Sequence, residues 1–470
     1  MGVTCFNNCA IPLWPLRHAG NELSALFFRK LVSSDGIHKR KDSKSIIRSI
    51  LKKIAILCAI GLTVLVAGLH LTSNSLFASA FALYTSGASE LALCDSAIAH
   101  TEGSASNFWN PALLPELDGT QLEIGTIFLR PSVDFSSDLT GKETSLEKNT
   151  FFPSTIFISH KINERFSAGF GLNNTFGLGT EWPDDWEGRY IATNSELQTF
   201  NFNPNIAWKL SEKFAVAIGF NILLGEATLE QKIDPFFLLL SSPDGNSKLK
   251  ADGNGYGYNV GILYKFSEEL AFGMSYRSGI KLELEGDIKW SQAGISIVDT
   301  GVKSDLELPA QLFGGISWKM YDRILVEIGG KWENWSSYKH LKLKADQPIF
   351  FGSNIFIVQK DWHDVYSFNV GVKYMLGPDL TMLAGFSHEE NPIPSETFDP
   401  SIPCSDKNWY SLGIRKSLGN FKIMISYLYD KYESRYKNNN VAGLSVSGMT
   451  ANGKYSQDIH MAGLSLSYSF

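Results

Sequence analysis

Few side chains in this 470-residue chain could make or break bonds, and none is set out to do so. His388 precedes Glu389 and Glu390, without the helical spacing of a zinc site. The run "GNGYGYNVG", residues 253–261, has the glycines of a phosphate loop but not its strand-then-helix context. No histidine stands in a motif that commits it to work beside a nucleophile and an orienting acid. The sequence therefore predicts no enzyme, no metal and no cofactor. Cys94 and Cys404 are the cysteines beyond the leader, and a disulfide between them is open in an oxidising compartment. Sequence does not show that they meet.

Recognition chemistry is better represented. Arg277, Lys331 and Lys281 fall on the polar face of alternating segments, and Arg189 lies in "WEGRY". Each could anchor a carboxylate, or could simply neutralise Glu283, Glu285, Glu327 or Glu333. Apolar runs stand where loops are expected. One holds Phe236, Phe237, Leu238, Leu239 and Leu240; another holds Phe350, Phe351 and Phe356; a third is "GISIV", 294–298. Water-facing loops carry such clusters when they bind something or pack on one another as a cap.

The elements that position these residues are strands. In "LAFGMSYR", Leu270, Phe272, Met274 and Tyr276 alternate with Ala271, Gly273, Ser275 and Arg277. In "FAVAIGFNIL", Phe214, Val216, Ile218, Phe220 and Ile222 alternate with Ala215, Ala217, Gly219 and Asn221. Period two, with one apolar face and one small or polar face, describes a strand between two different media. The pattern persists for the roughly 9–11 residues of a tilted membrane crossing, longer than the about 5–6 of an ordinary strand.

Short polar turns stand at 163–165, 211–213, 267–269, 321–322, 377–379 and 419–420. Long connections alternate with them at 136–150, 178–195, 234–252, 291–302, 336–360, 391–407 and 434–455. Six short and seven long connections join fourteen strands, with short turns on one rim and long loops on the other. The expected fold is all-β: a transmembrane antiparallel barrel of about fourteen strands. The chain ends on an alternating strand with Leu464, Leu466, Tyr468 and Phe470 on one face. A terminal aromatic of this kind resembles the signal read by the outer-membrane barrel-insertion machinery.

Residues 1–80 read as a leader and signal peptide. Lys39, Arg40, Lys41, Lys44, Arg48, Lys52 and Lys53 are basic, residues 54–69 are apolar, and Ala78 and Ala80 form a small pair before Phe81. Residues 1–38 exceed what a signal peptide needs, although no methionine lies between Met1 and Met274 to offer a later start. The leader carries ten Lys/Arg against three Asp/Glu, so the rest is more acidic than the overall charge of −6 implies. Nucleic acid is not an expected partner.

Between leader and barrel stands "LYTSGASELALCDSAIAHTEGSASNFWNPALLPEL", residues 83–117. With Asn110, Pro111 and Ala112 it resembles the N-terminal hatch of the long-chain fatty acid transporter family, which includes FadL and its aromatic-hydrocarbon relatives. Residues 176–208, "LPAQLFGGISW" with Pro309, and "KDWHDVYSFNVGVKY" are similar to later strands of that family, so the resemblance spans the chain beyond the leader. Cys94 and Asp95 depart from the Gly-rich pair of many members. The resemblance implies a hatch over 81–118 and a barrel over 119–470 in the bacterial outer membrane. It further implies passive transport of fatty acids or hydrocarbons, captured by outer loops and released sideways into outer-membrane lipid through a kinked third strand. That strand is "FSAGFGLNNTFGLG", where Gly171, Asn173, Asn174 and Gly177 would make the gap. A hydrophilic porin or an adhesin is the alternative, and the hatch argues against the porin.

Overall fold

The structure is a computed structural model that describes residues 80–236, 243–349, 352–445 and 449–470. The leader, 1–79, lies outside the described residues. The barrel opens with β1 (Thr120–Ser137), flanked by the short β2 (Glu143–Ser145), and β3 (Ser154–Lys161). The third crossing is in two pieces, β4 (Phe166–Asn173) and β5 (Gly177–Glu181). Three long strands follow: β6 (Asn194–Lys209), β7 (Phe214–Ile233) and β8 (Gly245–Lys265). The next two crossings are divided, into β9 (Leu270–Arg277) and β10 (Ile280–Gln292), then β11 (Ile295–Leu308) and β12 (Gln311–Met320). β13 (Ile324–Glu333) leads to β14 (His340–Ala345), and β15 (Ile355–Gln359) leads to β16 (Val365–Met375). β17 (Leu380–Glu389), β18 (Lys407–Leu418), β19 (Phe421–Tyr432) with its flank β20 (Arg435–Lys437), and β21 (Gly453–Ser469) complete the wall. β21 pairs antiparallel with β1 from Ser469–Gln121 to Gly453–Ser137, which closes a fourteen-stranded barrel.

The alternation has a physical consequence on β7. Ile218 and Phe220 are 62% and 47% exposed, while Ala215, Ala217, Gly219 and Asn221 face inward. Leaving so many large apolar side chains in water would cost about 1.5–3 kcal/mol each, whereas lipid removes that cost. Phe166–Trp208, Phe214–Tyr264 and Phe220–Tyr256 ring pairs mark the edges of this apolar band. No helix among the described residues is long and apolar enough to cross a membrane.

Beyond the outer edge of the band, the two faces exchange character. On β7 the outward positions change from Leu224 to Glu226 and Glu230, while Leu223 and Ala227 are buried inside. On β10 and β11, Lys281–Asp305, Lys289–Asp299 and Lys303–Glu285 pair on the outside. Leu282, Leu284, Ile288, Trp290 and Leu306 face inward on the same two strands. The wall therefore continues above the lipid as an amphipathic sheet with an apolar interior. Two expectations change here. Residues 245–252 and 295–302 belong to strands rather than loops, and the hairpin between β10 and β11 turns at Ala293 and Gly294, both at positive φ. Lys281, Glu283 and Glu285 face outward, not into the lumen. Between β8 and β9/β10, Asn259 pairs with Arg277 but Asn254 pairs with Glu283, so six steps on one strand oppose five on the other. The extra residue is a bulge at Ser278, whose N–H donates to Tyr258 O and whose hydroxyl accepts from Tyr258 N. One residue of slip exchanges the faces of everything beyond it.

Candidate functional site

Residues 80–117 pack inside this wall. They form the short helices α1 (Ala88–Ala92) and α2 (Ser106–Trp109) and a 3-10 turn (Pro111–Glu116), nearly all buried. Inward glycines make the room. A Cβ on Gly273 would lie 1.9 Å from Ile98 O, and one on Gly385 would lie 2.4 Å from the Leu93 carbonyl carbon. Asn110 explains its own motif: its Oδ1 accepts from Ala112 N at 3.1 Å, capping the turn that Pro111 begins. Its Nδ2 donates to Ile98 O and to Ile262 O of β8 at 2.8 and 3.0 Å. Charge adds a clasp. Glu102 pairs with Arg415 and with Lys373 (2.6 Å), and Glu327 accepts from the N–H groups of Ile98 and Ala99. Cys94 and Cys404 are both free buried thiols, so the disulfide is not made.

Above this segment lies a cavity of about 250 Å³, walled by Leu197, Leu249, Leu284, Trp290, Leu306 and Phe356, with Phe81 below. The amphipathic extension of the barrel supplies most of that wall. Phe81 sits in an aromatic cage, its ring 4.7 Å from Trp335, 5.6 Å from Trp362 and 5.9 Å from Tyr338, centroid to centroid. The lining also holds Lys360–Asp399, a buried ion pair at 2.7 Å. Burial pushes the Asp399 carboxyl up, but Lys360 and the Ser401 donors outweigh it and hold it below its usual range. Burial pushes Lys360 down, and the Asp399 charge raises it above its usual range. Of the loop residues singled out in the sequence, Phe356 lines the cavity, whereas Phe236 is 67% exposed and lies apart from it. Phe237, Leu238, Leu239, Leu240, Phe350 and Phe351 lie outside the described residues.

The third crossing is interrupted at residues 174–176. The break is made without positive φ at Gly171 or Gly177. Asn174 holds it: its Oδ1 accepts from Ser154 N, and its Nδ2 donates to Thr199 O. β4 pairs with β3 and β6, but β5 pairs with β6 alone among the strands. On the inner side, residues 81–83 fill in as a strand fragment. Leu83 N donates to Thr175 O and Gly177 N donates to Phe81 O, both at 2.8 Å. Asn173 donates to Ser86 Oγ, and Gly171 packs against Asn107 and Phe157.

The four cations part ways. Lys331 is consumed by Glu389 at 2.6 Å and sits over the Tyr84 ring. Arg189 pairs with Asp244 and Tyr190 in the outer cap. Lys281 is on the outside of the wall. Arg277 is buried in the lumen, donating to Phe108 O and to Asn221 Oδ1. Sequence reasoning missed Lys360, and it put Asn221 on the polar face of its strand without joining it to the other inward asparagines, 201, 203, 205 and 259. The repeat "NFNPN" was the available signal for that cluster.

The model of the family described as "Outer membrane protein transport protein (OMPP1/FadL/TodX)" matches residues 69–470. The chain is 26% identical over 360 residues to a long-chain fatty acid transport protein of Escherichia coli O6:H1, covering 68% of this chain and 78% of that one. It is 29% identical over 378 residues to a 47 kDa outer membrane protein of Pasteurella multocida, covering 75% and 86%. Two solved structures share the fold. A Pseudomonas aeruginosa FadL homologue has a TM-score of 0.74 at 18% identity, over 83% of this chain and 99% of that one. The Pseudomonas putida toluene transporter TodX has a TM-score of 0.68 at 18% identity, over 82% and 98%. A closed barrel with an apolar outer band, and a family match over all of it, make this chain a member of the FadL/TodX family of outer-membrane transport proteins, and not an enzyme.

Proposed function

We propose that the protein is a passive channel for hydrophobic molecules, with long-chain fatty acids as its first substrate class. The observation that carries this is the apolar cavity above the N-terminal segment, walled by strands whose polarity is the reverse of the membrane band below. Each large side chain withdrawn from water against a ligand is worth about 1.5–3 kcal/mol, so a few suffice to capture one. Outer loops would deliver the substrate and the buried N-terminal segment would act as a hatch. Release would be sideways, through the interrupted third crossing into outer-membrane lipid. Asn110, Pro111 and Ala112 hold the hatch in this reading, and Phe470 offers the insertion machinery its terminal aromatic. The test is to extract and identify what co-purifies with the barrel. Fatty acid supports the proposal; an apolar fraction of alkanes or aromatics alone would replace it.

Hydrocarbons are the second reading. Lys360 already has Asp399 as its partner, so the described lining of the outer cavity has no unpaired cation to offer a carboxylate. A fatty acid therefore needs a cation elsewhere, whereas a hydrocarbon does not.

A further inference from the structure

Arg277 is a buried cation without a counter-ion. It is 5% exposed, and no carboxylate pairs with it among the described residues. Its partners are two neutral oxygens and the Phe108 ring, 4.4 Å below the guanidinium. Lys331, Lys360 and Lys407, equally buried, all have acidic partners, whereas Lys437 on β20, also without one among the described residues, donates to the Val441 and Thr450 carbonyls and to Asn452 Oδ1. Leaving one charge uncompensated in a dry interior is costly. Beside it on the same face of β9, the Ser275 hydroxyl is 1% exposed with no hydrogen-bond partner among the described residues. A guanidinium with N–H groups to spare and an idle hydroxyl, two residues apart on one strand face, match the needs of a carboxylate.

The position is also connected. Asn221, which accepts from Arg277, accepts from Asn201; Asn201 donates in turn to Asn173, the last residue before the broken segment. The amides run from β9 across β7 and β6 to β4. The Thr175 hydroxyl, inside the break, is buried and idle among the described residues. Such a row offers hydrogen bonds without fixed charge, so it can accompany a polar group without trapping it.

We propose that Arg277 and Ser275 form an inner carboxylate station, from which the amide row leads the polar end of an acidic amphiphile to the break in the third crossing. The inference rests on the fatty-acid reading and adds where the head group is held and how acids are told from neutral molecules.

The test uses the purified full-length barrel in nanodiscs, with laurate and methyl laurate as probes of equal chain length. Wild type should hold laurate more tightly than the ester. Losing a charged hydrogen bond should cut laurate affinity about tenfold in Arg277→Gln, with methyl laurate unchanged and Arg277→Lys largely restored. Ser275→Ala, too small a change to unseat the N-terminal segment, should shift laurate in the same direction by a smaller factor. If both variants bind laurate as wild type does, or lose acid and ester equally, the station does not exist. If wild type binds neither probe, the fatty-acid reading fails and the station with it, and the two failures are told apart by the wild-type result.

Discussion

The N–H of Leu83 donates to the carbonyl of Thr175 at 2.8 Å, so the buried N-terminal segment lends a strand edge to the point where the third crossing is interrupted. Filling of the lumen and completion of the wall thus share one hydrogen bond. Phe81, two residues earlier, is locked by Trp335, Tyr338 and Trp362. Phe81→Ala should remove about 3–5 kcal/mol of local packing and free this fragment. Amide exchange should rise together at Leu83 and Gly177. Faster exchange at one alone would show that the two are not coupled.

Seating of the hatch should depend on glycines in the wall. Gly273→Val puts atoms where the Ile98 carbonyl lies, while a Cβ on Gly314 meets nothing within 4 Å. The valine variant should still insert but conduct small hydrophilic solutes in planar bilayers, and Gly314→Ala should stay closed. A tight Gly273→Val barrel would mean that the hatch does not plug the lumen.

Capture should follow the cavity and not exposure. Phe356→Ser removes part of the lining and should weaken binding of an apolar ligand by about 1–2 kcal/mol. Phe236→Ser, on a side chain that faces solvent, should leave the affinity unchanged. Equilibrium binding of a fluorescent fatty acid to the two variants decides between them.

The two lysines singled out by sequence should behave oppositely. Lys331→Ala leaves Glu333 beside Tyr84 without its cation and Glu389 with Lys407 alone, and breaking a buried pair in this way costs about 3–5 kcal/mol. Lys281→Ala removes a solvated pair with Asp305 and should be silent. Thermal unfolding in detergent reads both, and similar losses would contradict the faces assigned to β10 and β13.

The outer cap should loosen in acid. Asp399 is held below its unfolded value, so its contribution is full above that value and falls away as pH drops through the folded one. Lys360 is raised, so its contribution survives well into the alkaline range. Proteolysis within residues 360–405 should therefore accelerate at strongly acidic pH, and Asp399→Asn should remove that dependence. Acid sensitivity unchanged in Asp399→Asn would assign it to another group.

Sequence by itself determined the class of this protein. Alternation of Ile218 and Phe220 with Ala217 and Gly219 needs no partner to be seen, because side-chain direction along a strand is a local property. The short and long connections, the terminal aromatic and Asn110–Pro111–Ala112 were legible for the same reason. Tertiary structure decided which medium each face meets. Lys281 follows Arg277 by four residues and shares its parity, yet one extra residue at Ser278, held by Tyr258 on the next strand, sends them to opposite sides. It also decided which charges are free. Glu389 stands 58 residues from Lys331, and Asp399 stands 39 residues from Lys360, and only the packing of neighbouring strands and loops brings such groups within 3 Å. Arg277 meets no acid among the described residues, a fact that belongs to the whole lumen and to no stretch of the chain.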